Sequence, residues 1–254
     1  MASRQPGSRR RKPVAALPAS IADATLALRR KRSRDRRRGW RRALVTALGV
    51  LVVAALVWTI GFSPWLAAKD VTVEGNRVLT VAEVEGRAAV PMGTPLARLR
   101  TAEIADRVAT LPAVADVEVH RSWPGRVVVR VSERTPVVQL QEGGAFRWAD
   151  AEGVVFHQTN KADPGLVTVQ APADQRILAD LATVTSSLTD PLRARVLRIT
   201  ATGPDTITLV LDKGQTVVWG SAAESTTKAQ VATAMLGVKA TVFDVSAPAS
   251  PTSR

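Results

Sequence analysis

The sequence predicts an α+β protein: one N-terminal transmembrane helix, then a block of βααββ order, then a larger mixed α/β block. Three observations carry this. Residues Ala43 to Ala68 hold no charged side chain. Beyond Lys69 the apolar residues alternate with period two in some segments and follow helical spacing in others. The excess charge lies wholly before the apolar run: Met1 to Arg42 carries fifteen Lys/Arg and two acids, net +13, which is also the net charge of the whole chain.

The run comes first. A helix needs roughly 20 apolar residues to cross ~30 Å of hydrocarbon, and in lipid only a helix satisfies the backbone of a single span. We place the span at 43–64. Arg41 and Arg42 fence it on one side and Lys69 and Asp70 on the other, and Trp58 and Trp65 suit a membrane–water interface. A cleaved signal peptide has a shorter core with small residues at its cleavage site. Here the small pair Ala67-Ala68 is preceded by Trp65-Leu66, so a retained anchor is expected. The positive-inside rule then puts the basic tail in the cytoplasm and everything after Lys69 outside, a single-pass type II layout in the cytoplasmic membrane.

The tail, 1–42, is rich in Arg, Ser, Pro and Ala and is expected to be disordered. Its basic blocks, Arg9 to Lys12 and Arg29 to Arg42, suit anionic lipid beside the span. Charge alone would also attract DNA. Trp40 by itself supplies neither a stacking platform nor a recognition helix, so no specific nucleic acid partner is expected.

The first block covers 66–134. Val71 and Val73 alternate with polar neighbours as in a half-buried strand, and Gly75-Asn76 turns the chain. Thr80 with Glu83 is a capping box opening a helix through Val81, Val84 and Ala88. Pro91 to Pro95 breaks the chain. Thr101 is then expected to cap a second helix with Ile104, Val108 and Leu111 on one face, stopped by Pro112. Val117 and Val119, the turn Trp123-Pro124-Gly125, and Val127, Val129 and Val131 read as a hairpin.

The second block covers 135–246. Val137 to Leu140 and Phe146 to Trp148 flank Glu142-Gly143-Gly144, a hairpin signal. Val154 to Phe156 and Leu166 to Val169 follow as short apolar runs. Ile177, Leu178, Leu181, Val184 and Leu188 mark a helix that Asp190-Pro191 ends. Leu197 and Ile199, then Ile207 to Leu211 and Thr216 to Trp219 across Asp212-Lys213-Gly214, read as strands. A helix with Val231, Met235 and Leu236 leads to a last strand, Thr241 to Val245. Residues 247–254, with Pro and Ser, are expected to form a flexible tail.

Several chemistries are excluded by composition. Without cysteine there is no disulfide, thiolate metal site or cysteine nucleophile. His120 and His157 are the two histidines, too few for a multi-histidine zinc site. Asp150, Glu152 and Asp163 sit in turns with Gly or Pro, where Asp serves the backbone. Arg121 and Arg126 beside Trp123 suit hairpin packing better than ligand stacking. No nucleophile triad, phosphate loop or metalloprotease helix appears. The sequence predicts no catalytic residue, no metal and no cofactor.

The motifs in series carry a resemblance. Val73-Glu74-Gly75-Asn76 precedes the Thr80-capped helix; Leu111-Pro112-Ala113-Val114, Arg121-Ser122-Trp123-Pro124 and Glu133-Arg134-Thr135-Pro136 follow in order. Together they resemble the POTRA domain of the FtsQ family of bacterial division proteins, called DivIB in Gram-positive bacteria. The second block resembles that family's β domain, with Gly220, Lys228 and Phe243-Asp244-Val245 at matching places. Ser246 departs from it, standing where many members have Arg. The resemblance implies a non-enzymatic divisome scaffold at the septum. Such a scaffold binds FtsB- and FtsL-type single-span proteins outside the membrane and contacts other divisome membrane proteins, and it helps control septal peptidoglycan synthesis. Two other readings are a POTRA-bearing transport or assembly component and a membrane protein contacting DNA through its basic tail. No strand set of outer-membrane barrel length follows the first block, against the former.

A sheet edge offers unpaired backbone groups to which a partner can add a strand. The expected edge is Thr241, Val242, Phe243, Asp244 and Val245, because nothing after it is expected to cover it; the resemblance implies the same mode. Phe243 is either an anchor at that edge or an ordinary core residue.

Overall fold

The computed structural model describes residues 21–254, with side chains from Gly39 onward. Helix α1 runs Ile21–Phe62. Within it Gly39–Phe62 is long and apolar enough to cross a membrane, and large apolar side chains such as Leu44, Leu48, Leu51 and Val57 are all exposed. A helix apolar on every side is a helix meant for lipid or a core, not for water.

The expectation for the tail changes only in its described part. The part of the basic tail at 1–20 lies outside the described residues, while 21–42 is helical rather than disordered. No proline interrupts the chain between Pro18 and Pro64, and the Ala, Leu, Arg and Lys of this stretch are strong helix formers that extend an existing helix without a new nucleus. At the other end the helix stops at Phe62. Ser63 caps a short 3-10 turn, Pro64–Leu66, by accepting the Trp65 N–H. Ala67 and Ala68 are buried in the domain that follows.

That domain holds β1 (Asp70–Glu74), α2 (Val81–Ala88), α3 (Thr101–Ala109), β2 (Val114–Ser122) and β3 (Arg126–Glu133). Its sheet has the order β1-β3-β2, β1 running parallel to β3 and β2 antiparallel. The alternation of β3 decides the core: Val127, Val129 and Val131 turn inward against Val84, Ala88, Ile104 and Val108 of the helices. Thr80 and Glu83 form the expected capping box. Thr101 does not cap α3. Arg100 holds the cap position with no side-chain bond to the helix backbone, and its guanidinium donates instead to the Glu103 carboxylate in the first turn at 2.7 Å.

The second domain adds β4 (Val138–Glu142), β5 (Ala145–Ala149), β6 (Val155–Thr159), β7 (Val167–Gln170), α4 (Gln175–Ser187), α5 (Asp190–Arg193), β8 (Val196–Thr200), β9 (Ile207–Leu211), β10 (Thr216–Gly220), α6 (Ser225–Met235), β11 (Val242–Asp244) and β12 (Thr252–Ser253). Asp190-Pro191 thus opens a short helix as well as ending α4, since proline is at home in a first helical turn. The sheet order is β12-β11-β10-β9-β8-β7-β4-β5-β6. Ile177, Leu178 and Leu181 of α4 and Ala229 and Ala232 of α6 share one core with Leu140, Val169, Ile199, Leu209, Val217 and Trp219 from the strands.

The two domains meet at the Glu133-Arg134 motif. The Glu133 carboxylate accepts the backbone N–H groups of Arg77, Val78 and Leu79 at 3.0, 2.8 and 2.9 Å. Arg134 donates to the Pro112 carbonyl at 3.2 Å and pairs with the buried carboxylate of Asp150. Asp150 also accepts from Val154 N at 2.8 Å, so it serves the backbone as its turn setting predicts. Asp163 does likewise for Gly165 at 2.8 Å.

Candidate docking edge of the C-terminal sheet

The expected partner strand, Thr241 to Val245, forms β11 and its flanks. It joins the sheet because α6 returns the chain to run β11 parallel to β10, pairing Thr216 with Val242 and Val218 with Asp244. Alternation then points Phe243 and Val245 into the core, where both are fully buried. Phe243 is therefore a core residue, not an edge anchor. What the strand presents outward is backbone, with the half-buried Val242 and Asp244 side chains beside it.

The inner and outer hydrogen bonds separate cleanly. Thr241 accepts from Thr216 N at 2.9 Å, and Val245 N donates to the Val218 carbonyl at 3.0 Å; both bonds hold β11 to β10. Val242 N points the other way.

That outer side is occupied, contrary to expectation. Residues 252–254 fold back antiparallel, pairing Phe243 with Ser253 and Asp244 with Thr252. Val242 and Arg254 exchange N–H···O bonds of 3.0 Å in both directions. The tail at 247–254 is thus not free: Ala247 accepts from Ser250 in a turn, and Pro251 hands the chain into β12. Two residues of strand with prolines nearby carry no period that a sequence reading could detect.

The residues around the edge are fixed from behind. Trp219 is fully buried, and its indole donates to Ser225 Oγ at 3.2 Å. The buried Lys228 ammonium donates to the carbonyls of Trp219 and Ser221 at 3.1 and 2.9 Å, bracing the link from β10 into α6. Burial pushes its pKa down, with Glu224 and Asp205 opposing. Gly220 has φ +75°, and a Cβ there would lie 3.0 Å from that of Ser246. Ser246 donates through its hydroxyl and its N–H to Asp244 at 2.7 and 3.0 Å. These two bonds, with Arg254 adding to them, hold the Asp244 carboxyl below its usual range. Where the resemblance puts an arginine, Ser246 closes a local turn instead.

The remaining titratable residues do not converge. His120 contacts Glu118 at 3.1 Å on an exposed strand, and His157 packs on Trp148. Arg121 donates to the Leu99 carbonyl at 2.6 Å, and Arg126 pairs with Asp70. Among the described residues no group of three or more His, Asp or Glu is placed to hold a metal.

Comparison with known proteins places both domains. Residues 66–134 match the POTRA domain of FtsQ type, and residues 138–246 match the C-terminal domain of cell division protein FtsQ/DivIB. Cell division protein FtsQ of Streptomyces bingchenggensis is 36% identical over 236 residues, covering 87% of this chain and 88% of that one. The protein of the same name from Streptomyces venezuelae is 40% identical over 238 residues, 87% of each. That of Mycobacteroides abscessus is 33% identical over 223 residues, 86% of this chain and 71% of its own. The major extracytoplasmic domain of the division protein DivIB from Geobacillus stearothermophilus aligns over 41% of this chain and 93% of its own, with a TM-score of 0.34 and 14% identity. A two-domain match in chain order, with relatives of this identity over most of both lengths, settles the family: the chain belongs to the FtsQ/DivIB family of cell division proteins.

Proposed function

We propose that this protein is a non-enzymatic scaffold of the division septum, anchored by one span with its N-terminus in the cytoplasm and both folded domains outside. It binds small single-span division proteins of FtsB and FtsL type, holds other divisome membrane proteins, and through them helps control septal peptidoglycan synthesis. The observation that carries the reading is the state of the sheet edge. β11 is a strand whose inner side is locked into the core and whose outer side is held by the two-residue strand β12 and by Arg254. A partner strand that takes the place of Thr252 to Arg254 gains the same backbone bonds at Val242 and Asp244, and a longer one adds more. The charge distribution supports the orientation, because all the excess positive charge precedes the span.

An N-terminally tagged copy in the native host tests the role. A mid-cell band that needs residues 63–254 is the expected result. Uniform membrane signal, with normal division after depletion, would remove the division role while leaving the fold in place.

A further inference from the structure

The family accounts for the C-terminal edge. It leaves unexplained a group of large exposed side chains at one end of the POTRA domain. Trp65, Met92 and Trp123 are 70%, 53% and 50% exposed. They come from three separate stretches, yet all three stretches close on residues 67–69. Ala68 N donates to Thr94 O and Gly93 N to Ala68 O, both at 2.9 Å, which fixes the loop carrying Met92. Ala67 bridges Pro95 in the same loop. Lys69 N and Asp70 N donate to Gly125 O at 2.8 and 3.3 Å, which fixes the turn carrying Trp123. Gly125 comes so near that a Cβ there would lie 2.9 Å from the Ala67 carbonyl. Trp65 lies two residues before Ala67 in the chain.

The charges around these loops are basic. Lys69 lies on the converging segment, and Arg121 is tied to a neutral carbonyl, that of Leu99. The acids on this side, Asp70 and Glu103, are each paired with an arginine, Arg126 and Arg100. Two tryptophans and a methionine inside a basic rim form the surface that suits a headgroup boundary, where indole rings sit half in water. Chain length says what surface is within reach. Residues 67–69 follow the end of the candidate span by five to seven residues, a tether that reaches at most about 20–25 Å.

We propose that this end of the POTRA domain is a lipid-docking platform, with Trp65, Met92 and Trp123 seated in the headgroup region of the bilayer that the span crosses. The inference rests on the span but not on the division role. The platform limits how the domain tilts on its tether and so sets the height at which the C-terminal sheet edge is presented.

The test uses the full chain in vesicles of phosphatidylcholine and phosphatidylglycerol, with no other protein. The absence of cysteine makes single-site labelling direct. An environment-sensitive fluorophore is placed at Met92→Cys, at Val81→Cys on the opposite end of the domain, and at Val53→Cys in the span. Quenching by lipids brominated just below the headgroup is then compared. The platform predicts quenching at position 92 roughly threefold or more above that at 81. It also predicts loss of about half the quenching at 92 when Trp65→Ser and Trp123→Ser are added, rings whose removal leaves the core untouched. Quenching at 53 by deep bromines with none at 92 would overturn the platform while the span stands. No quenching at 53 would overturn both.

Discussion

Arg254 and Val242 bond each other twice: Val242 N donates to Arg254 O, and Arg254 N donates to Val242 O, each at 3.0 Å. The chain therefore occupies with its own residues the position at which a partner strand would add. Removing residues 252–254 should leave the fold intact, because the core residues Phe243 and Val245 do not depend on them. It should speed amide exchange of Val242 roughly tenfold, the equivalent of one net hydrogen bond. The same truncation should tighten capture of single-span partners, since no displacement is then required. Amide exchange followed by mass spectrometry checks the first outcome and co-isolation the second.

Proline separates the two sides of β11. Val245 N is bonded inward to Val218 O, so Val245→Pro leaves the carbonyl of half-buried Val218 without that donor and should cost about 1–3 kcal/mol. Val242 N faces outward, so Val242→Pro should shift the melting temperature far less. Thermal denaturation of both variants decides it; equal losses would mean that the two sides have been misassigned.

Glu133 makes stability depend on acid. Burial raises the pKa of its carboxyl, but the backbone N–H groups of Val78, Arg77 and Leu79 outweigh that and hold it below its ordinary 4.5. A carboxyl lowered in the folded state stabilises above the unfolded value and stops doing so as pH falls through the folded one. Glu133→Gln should therefore destabilise the POTRA domain at pH 7, with the difference from the parent shrinking below about pH 4.5. Denaturant midpoints at pH 7 and pH 3.5 measure it.

Arg134 and Asp150 join the two folded domains. Asp150 is buried, so Arg134→Ala leaves a carboxylate with only backbone donors and should cost about 3 kcal/mol, the low end for breaking a buried pair, because Arg134 keeps some contact with water. Adding Asp150→Asn should recover part of that loss. A double-mutant cycle showing no coupling would mean that the contact is incidental.

How much of this was legible depended on how local each signal is. The Thr80–Glu83 box and the alternation of Val127, Val129 and Val131 are set by neighbours within a few residues, and both read directly. The position of β11 was also legible, but its faces were not, because three residues carry too little period to fix Phe243 inward. β12 was invisible: Thr252 and Ser253 have no apolar pattern, and their pairing is set by the turn before them. Ala67 and Ala68 looked like the end of the apolar run. Their small size answers instead to burial against Thr94 and Gly125, a contact made only when the chain closes. The placing of Trp65, Met92 and Trp123 at one end of the domain has the same origin, loops distant in sequence that meet at residues 67–69.

The most direct test of the scaffold is co-isolation of small single-span division proteins with the full chain from solubilised membranes of the native host. The parent, Val242→Pro and the chain lacking 252–254 are compared. Binding by strand addition at β11 predicts strong capture by the truncated chain, intermediate capture by the parent, and capture by Val242→Pro reduced about tenfold through the lost backbone donor and its ladder. A folded Val242→Pro protein that captures the same partners as well as the parent would contradict it.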